Sequence, residues 1–141
     1  MNWITGEIAI GSVHEASDPE LLRRNGIRSI LGLVDALAKT SPMDLGVSAI
    51  EVVPLIDGEG NDFMQFCWAV TKLSRLVDQS GPVLVHCQAG WSRSPAVVAA
   101  YLVRHRRLTA EQALAEIRSK RVCSMVREMQ QLVDRFWREC D

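Results

Sequence analysis

The sequence predicts an α/β fold in which a single central, mainly parallel sheet is flanked by helices. Two observations lead to this prediction. Apolar segments of strand length alternate along the chain with longer segments of helical periodicity. One strand segment, Val83 to Val85, is entirely apolar, which is typical of a strand buried on both faces. The 141 residues contain no linker, repeat or low-complexity segment, so we expect one domain over residues 1–141.

The first half of the chain is predicted to contain an opening strand or hairpin, a short helix and two strands, in residues 3–11, 17–26, 27–34 and 47–56. The short helix is predicted because Ser17 and Glu20 fit a capping box and Pro19 suits a first turn. Residues 35–46, between the two strands, predict a loop or a frayed helix. Pro54 marks where pairing of the second strand ends.

The second half of the chain is predicted to contain four helices and one more strand, in residues 63–77, 82–87, 93–107, 110–120 and 126–139. Asp62 with Gln65 resembles a capping box at the start of the first of these helices. Thr109 with Gln112 forms the same pattern before residue 110. Because strands alternate with helices, the sheet is expected to be mainly parallel.

Composition limits the function. The net charge of −1 gives no electrostatic case for binding nucleic acid or a membrane surface. No apolar run reaches the ~18 residues of a membrane span, and the first residues lack the pattern of a signal peptide. No Cys-x-x-Cys pair occurs, so we expect no metal and no cofactor. The default expectation is a reduced, cytoplasmic protein that acts as a monomer.

The segment HCQAGWSRS, residues 86–94, ends the apolar strand and opens a helix. Such a turn directs backbone N–H groups and the positive end of a helix dipole towards one point, which suits an anion. Gly90 lets the backbone curl closely, and the guanidinium of Arg93 can bind two oxygens of a phosphate. The same field favours a thiolate at Cys87. The segment therefore predicts a nucleophilic sulfur within a phosphate cradle, acting through a phospho-cysteine intermediate.

This segment resembles the signature His-Cys-x-x-Gly-x-x-Arg-Ser/Thr of the protein tyrosine phosphatase superfamily, and GPVLVHCQAGWSRSPAVVAAYLV resembles its dual-specificity branch. Residues 4–34 and 122–137 extend the similarity over nearly the whole chain. The resemblance implies that Cys87 is the nucleophile and that Arg93 binds the phosphate and stabilises the transition state.

The resemblance also implies roles for the neighbouring residues. Ser94 would hydrogen-bond the thiolate and help the sulfur leave, and His86 would orient the loop from behind. Main-chain N–H groups would bind the substrate phosphate over the whole loop, at Gln88, Ala89, Gly90, Trp91, Ser92 and Arg93. The ring of Trp91 is expected to line the rim of the pocket.

A phosphate ester needs a proton on its leaving oxygen, and the resemblance implies an aspartate about thirty residues before the cysteine. Asp57 comes directly after a strand end, 30 residues before Cys87, and is the predicted general acid. Asp62 has an alternative role as a helix cap. Glu59 lies between two glycines, outside the matching position.

The sequence departs from the resembled branch at Met125, where many members carry an Asn that braces the signature loop. Bracing is therefore expected from elsewhere. The chain is also too short for the segment that builds a deep phosphotyrosine slot in classical tyrosine phosphatases. A shallower pocket would admit phosphoserine and phosphothreonine as well as phosphotyrosine. Cys67 is expected in the core, whereas Cys123 and Cys140 are candidate partners for an oxidised Cys87.

Three functions fit these residues. The first is a phosphatase acting on phosphoproteins or phosphopeptides. The second is the same chemistry on a non-protein substrate, such as an inositol lipid, a nucleotide end or a sugar phosphate. The neutral variable positions of the loop (Gln88, Ala89, Trp91 and Ser92) favour the first, because members acting on inositol lipids often carry Lys or Arg there. The third, an inactive phosphate-binding module, would be expected to lack the cysteine, the arginine or the acid.

Overall fold

The computed structural model describes residues 1–140 and contains one five-stranded sheet in the order β1-β2-β5-β3-β4. The strands are β1 (Asn2–Trp3), β2 (Ile8–Gly11), β3 (Ser29–Gly32), β4 (Ala49–Val52) and β5 (Val83–His86). β1 is antiparallel to β2, and all other neighbouring strands are parallel. The predicted α/β class with a mainly parallel sheet is therefore confirmed.

Seven helices flank this sheet in the described part of the chain: α1 (Val13–Ala16), α2 (Pro19–Arg24), α3 (Pro42–Leu45), α4 (Phe63–Ser80), α5 (Arg93–Arg106), α6 (Ala110–Lys120) and α7 (Arg127–Glu139). A 3₁₀ turn spans Asp35–Leu37. The sequence does not predict α1, because four residues are too few for helical periodicity to show. None of the helices within residues 1–140 combines the length and the apolarity that crossing a membrane requires.

Side-chain hydrogen bonds cap the amino-terminal ends of α2, α4 and α6. The predicted box of Ser17 and Glu20 is wrong: Ser17 ends α1, and Asp18 caps α2 by accepting a hydrogen bond from the Leu21 N–H at 3.2 Å. The cap lies there because Pro19 occupies the first position of the helix. The box of Thr109 and Gln112 is confirmed at the start of α6.

The cap of α4 is confirmed only in part. The Asp62 carboxylate accepts a hydrogen bond from the Met64 N–H at 3.0 Å, as a helix cap should. Gln65 does not complete a capping box, since its side-chain amide donates to the Pro54 carbonyl at 3.5 Å. The Asp62 carboxylate is thus already engaged at the end of its helix.

Both faces of the sheet are covered. Val83 and Val85 of β5 pack into a large apolar cluster shared with α4, α5, α6 and α7. Leu84, between them, packs into a smaller cluster on the side of α1, α2 and α3. Side chains of a strand alternate between faces, so an apolar run without polar positions marks a strand buried on both sides.

Three parallel strands end side by side. Gly11 of β2 and Gly32 of β3 are the register partners of His86, the last residue of β5. A Cβ on Gly32 would lie 2.7 Å from the His86 Nε2 atom, so a side chain is excluded beside this imidazole. The loop that follows His86 therefore starts from the carboxyl edge of the sheet, where open α/β folds place their ligands.

Candidate active site

The loop between β5 and α5 has its carbonyl groups turned outwards. Five successive carbonyls, those of residues 87–91, accept hydrogen bonds from donors outside the loop. Their donors are His86 Nδ1 at 3.0 Å, Val13 N at 2.9 Å, Arg121 Nη2 at 3.1 Å, Arg121 Nε at 2.7 Å and Ser124 N at 3.0 Å. The C=O and N–H of a trans peptide unit point in opposite directions, so the N–H groups of residues 88–92 face inwards. These N–H groups donate no backbone hydrogen bond within residues 1–140.

The curl of this loop requires glycine at position 90. Gly90 has a φ of 76°, a conformation that L side chains rarely adopt. A Cβ there would lie 2.6 Å from the Gly11 carbonyl oxygen and 2.6 Å from Arg121 Nη2. The loop therefore packs directly against the end of β2.

Arg121, which follows α6, is the bracing residue that sequence reasoning missed. Its Nε and Nη2 donate to two loop carbonyls. Its Nη1 donates to the Ile10 carbonyl at 3.2 Å and to Asn2 Oδ1 at 2.8 Å. One guanidinium thus ties the loop to β1 and β2. In the sequence, Arg121 is only the last member of a basic helix end, and nothing local distinguishes it from a solvated side chain.

The backbone that precedes α7 completes the brace. Ser124 N holds the Trp91 carbonyl, and Val126 N donates to the Ser92 hydroxyl at 3.1 Å. Position 125 carries Met instead of an asparagine, and the expected bracing comes from Arg121 and the main-chain N–H groups of Val13, Ser124 and Val126. Ser92 is buried, its hydroxyl accepts this bond, and the residue also lines the pocket.

His86 is fully buried behind the loop. Its Nδ1 lies 3.0 Å from the Cys87 carbonyl, and because a carbonyl can only accept, Nδ1 carries the hydrogen. Its Nε2 is buried without a hydrogen-bond partner among the described residues. Burial lowers the pKa of His86 below its usual value, and the hydrogen bond to Cys87 offsets this only in part. The imidazole is therefore neutral at pH 7.

Lowering the pH is expected to destabilise the fold through His86. Below about pH 6.5 the histidine of the unfolded chain binds a proton that the folded chain does not yet bind. The free energy of unfolding therefore decreases as the pH decreases. The decrease should begin as the pH falls below about 7.5 and should steepen as it passes about 6.5. Denaturant titrations should show a shallower slope for His86→Gln and an unchanged slope for His14→Gln, which alters an exposed histidine. Equal slopes in both variants would contradict this reading.

Arg93 links the loop to the segment that carries the predicted acid. It is the first residue of α5, and its Nη1 donates to the Leu55 carbonyl at 3.3 Å. Its Nε is buried without a partner in residues 1–140. Asp57, two residues after Leu55, lines the same open pocket of about 300 Å³ as Cys87 and Arg93.

The other two candidate acids lie elsewhere. Asp62 caps α4, and Glu59 lines a separate cavity against α7. The segment is closed by Asn61, whose Oδ1 accepts from the Ile56 N–H at 2.8 Å and whose Nδ2 donates to the Ile56 carbonyl at 2.6 Å. A further bond from Nδ2 reaches the Gly58 carbonyl at 3.3 Å. Asp57 therefore lies on a compact turn held by an asparagine that the sequence does not single out.

The remaining site residues divide into a buried floor and an exposed rim. Cys87 is 2% exposed, so its sulfur is reached through the pocket rather than from the surface. The Ser94 hydroxyl is fully buried and has no hydrogen-bond partner within the described residues, which leaves its proton available. Gln88, Ala89 and Trp91 form the exposed rim, and the Trp91 side chain is 53% exposed.

This arrangement suits a tetrahedral oxyanion. Inward N–H groups and a guanidinium meet its oxygens, a sulfur lies at the base of the loop, and a carboxylate lines the same pocket. Such a set of groups can bind a phosphoryl group, attack it and protonate the group that departs.

Comparison with known proteins agrees with this geometry. Residues 9–136 match the family described as dual specificity phosphatase, catalytic domain. The chain is 33% identical over 112 residues to dual specificity protein phosphatase 1B of Arabidopsis thaliana, covering 79% of this chain and 66% of that protein. It is 35% identical over 113 residues to dual specificity protein phosphatase 1 of the same plant, covering 79% and 56%. The chain thus spans less than two thirds of either relative.

The solved structure of human DUSP28 matches with a TM-score of 0.84 at 26% identity, covering 98% of this chain and 96% of that one. The similarity therefore includes both the signature loop and the strands and helices that hold it. The chain belongs to the dual specificity phosphatase catalytic domain family.

Proposed function

We propose that residues 1–141 act as a single domain that hydrolyses phosphotyrosine, phosphoserine and phosphothreonine in proteins through a phospho-cysteine intermediate on Cys87. The observation that carries this proposal is the loop of residues 87–92, whose five outward carbonyls are all bonded and whose N–H groups face the pocket. Family membership supports the same reaction class.

In the first proposed step the Cys87 sulfur attacks phosphorus and the bond to the leaving oxygen breaks. Asp57 gives its proton to that oxygen, so the alcohol or phenol departs neutral. The charge on the transferred phosphoryl oxygens is met by the loop N–H groups and by Arg93. The sulfur then carries the phosphoryl group.

In the second proposed step water attacks the phosphorus of the phospho-cysteine. Asp57, now a carboxylate, takes a proton from this water, which reverses its role in the first step. The sulfur leaves as a thiolate and receives a hydrogen bond from the Ser94 hydroxyl, which is buried and has no hydrogen-bond partner among residues 1–140. Inorganic phosphate is released and the starting protonation states are restored.

The lining of the pocket supports protein substrates over inositol lipids. Arg93 is the one cation among the described residues that line it, and it is assigned to the phosphate being transferred. Additional phosphates on a substrate would meet the neutral rim of Gln88, Ala89 and Trp91 instead. The pocket is also open towards solvent, so a short phosphoserine can reach the loop as well as a phosphotyrosine.

Asp57→Asn tests the proposed acid, because asparagine keeps the size of the side chain and cannot give the proton. With phosphoserine peptides, whose leaving group is poor, kcat should fall by about two to three orders of magnitude. With an aryl phosphate whose phenol is already acidic, kcat/KM, which reports only the phosphorylation of Cys87, should fall much less. The basic limb of the kcat–pH profile, which requires the protonated acid, should flatten.

Asp62→Asn is the matched control, since it alters an aspartate five residues away that caps α4. It should lower stability by about 1 kcal/mol or less and leave the pH profile intact. A flattened basic limb in Asp62→Asn together with an intact one in Asp57→Asn would show that Asp62, and not Asp57, is the general acid.

Arg121→Lys tests the brace. A lysine keeps the charge, but a single ammonium cannot reproduce the planar fork that serves four acceptors. We expect kcat/KM to fall by about tenfold or more while Arg118→Lys, three residues earlier on α6, leaves it unchanged. Equal activity of the two variants would show that Arg121 does not position the loop.

A further inference from the structure

Two cysteines meet on the side of the molecule away from the loop. Cys67 lies on α4 and Cys140 directly follows α7, and their sulfur atoms are 3.9 Å apart. The two residues are 73 positions apart in the chain, so only the tertiary fold brings them together. Both are free and half-buried. Cys67 is expected in the core, and the structure adds a contact with Cys140 that the sequence does not indicate.

We propose that Cys67 and Cys140 form a reversible intramolecular disulfide that joins α4 to the end of α7. A disulfide needs its sulfurs about 2.05 Å apart, so they must approach by about 2 Å from their present contact. Cys140 follows the last helical residue, where the backbone has already left the helical conformation. A small shift of this residue can close the gap without moving α4.

This pair is separate from Cys87. Cys140 lines a cleft with Val103 and Leu108, at the carboxyl end of α5. Cys87 lies before the other end of that helix, and 14 residues at about 1.5 Å each place the two ends about 20 Å apart. Cys140 is therefore remote from Cys87, and the thiol that it contacts is that of Cys67.

The cleft beside Cys140 suits an anionic oxidant. Arg104 and Arg107 line it together with Trp137, so a small disulfide that carries carboxylates, such as oxidised glutathione, meets two cations next to the thiol. Burial and the neighbouring Cys140 raise the pKa of Cys67 to about 11, which makes Cys67 the poorer nucleophile at neutral pH. Cys140 lines this cleft and Cys67 does not, so Cys140 is the residue that reacts first.

The exchange balances with oxidised glutathione as the oxidant. The Cys140 thiolate attacks one glutathione sulfur, which forms a mixed disulfide and releases one glutathione thiolate. Cys67 loses its proton and attacks the Cys140 sulfur, which forms the internal disulfide and releases the second glutathione. The two protein thiols are oxidised by two electrons, and oxidised glutathione is reduced to two glutathione molecules.

The test is equilibration of the whole chain in glutathione buffers of graded redox ratio, followed by blocking of free thiols and mass mapping of each cysteine peptide. We expect a Cys67–Cys140 cross-linked peptide that disappears on reduction. Cross-linked protein should unfold about 5 °C or more higher than the reduced form, because the bond closes a long loop in the unfolded chain. Cys140→Ser and Cys67→Ser should abolish both effects, and Cys123→Ser should abolish neither.

Each other outcome overturns the proposal. These are cross-linked peptides that contain Cys87 or Cys123 instead, a disulfide only between two chains, or free thiols at Cys67 and Cys140 under oxidising buffer. A glutathione adduct that persists on Cys140 without conversion to the cross-link also contradicts it. Because every cysteine is read separately by mass, the result does not depend on the proposed phosphatase activity.

Discussion

Replacement of Cys87 by serine is expected to abolish turnover while the phosphate cradle survives. An alcohol is a far weaker nucleophile than a thiolate at neutral pH, so kcat should fall by at least about 10⁴-fold. The outward bonds of the loop carbonyls do not involve the sulfur, so the N–H groups and Arg93 should still face the pocket. Steady-state kinetics with a phosphopeptide measures the loss, and calorimetric titration of the same peptide measures the retained binding.

The matched control for this change is Cys67→Ser, which alters a half-buried cysteine remote from the loop. It should retain activity close to that of the unaltered protein. Residual activity of more than a few per cent in Cys87→Ser would show that the reaction does not proceed through a covalent bond to this sulfur.

Arg93→Lys is expected to have the second largest effect. The guanidinium of Arg93 is oriented by its bond to the Leu55 carbonyl, and its other N–H groups remain for two phosphoryl oxygens at once. An ammonium cannot bind both in this geometry, so kcat should fall by about 10² to 10³-fold and KM should rise. Both constants follow from initial rates over a range of phosphopeptide concentrations.

Arg127→Lys provides the control, because Arg127 is also the first residue of a helix but is exposed. It should change kcat and KM little. A loss of less than about fivefold in Arg93→Lys, or ~1 kcal/mol, would mean that Arg93 does not contact the transferred phosphoryl group.

The parts of the site that the sequence reveals are those held within one short segment. Cys87, Gly90 and Arg93 fall in a single strand–loop–helix unit, so their spacing alone predicts a phosphate cradle. Asp57 is also visible, because it follows a strand end and the structure brings it to the same pocket. Asp62 was recognisable as a helix cap from its position before α4.

The supporting contacts escape sequence reasoning because they join distant segments. Arg121 lies 31 residues after Gly90, and only the fold shows that its guanidinium reaches the loop and β2. Asn61 reads as part of a polar loop until its side chain is seen to close the turn that carries Asp57. The contact of Cys67 with Cys140 spans 73 residues and has no local signature.

The covalent mechanism at Cys87 is measured most directly by a rapid-quench experiment on Asp57→Asn with an aryl phosphate whose phenol is acidic. This substrate needs no proton to leave, so the sulfur can still be phosphorylated, whereas the later hydrolysis lacks its base. We expect a burst approaching one phenolate per active site, with a phosphoryl group on the Cys87 peptide when the quenched protein is mapped by mass. Steady release of phenolate without a burst, or a phosphoryl group on any residue other than Cys87, would contradict it.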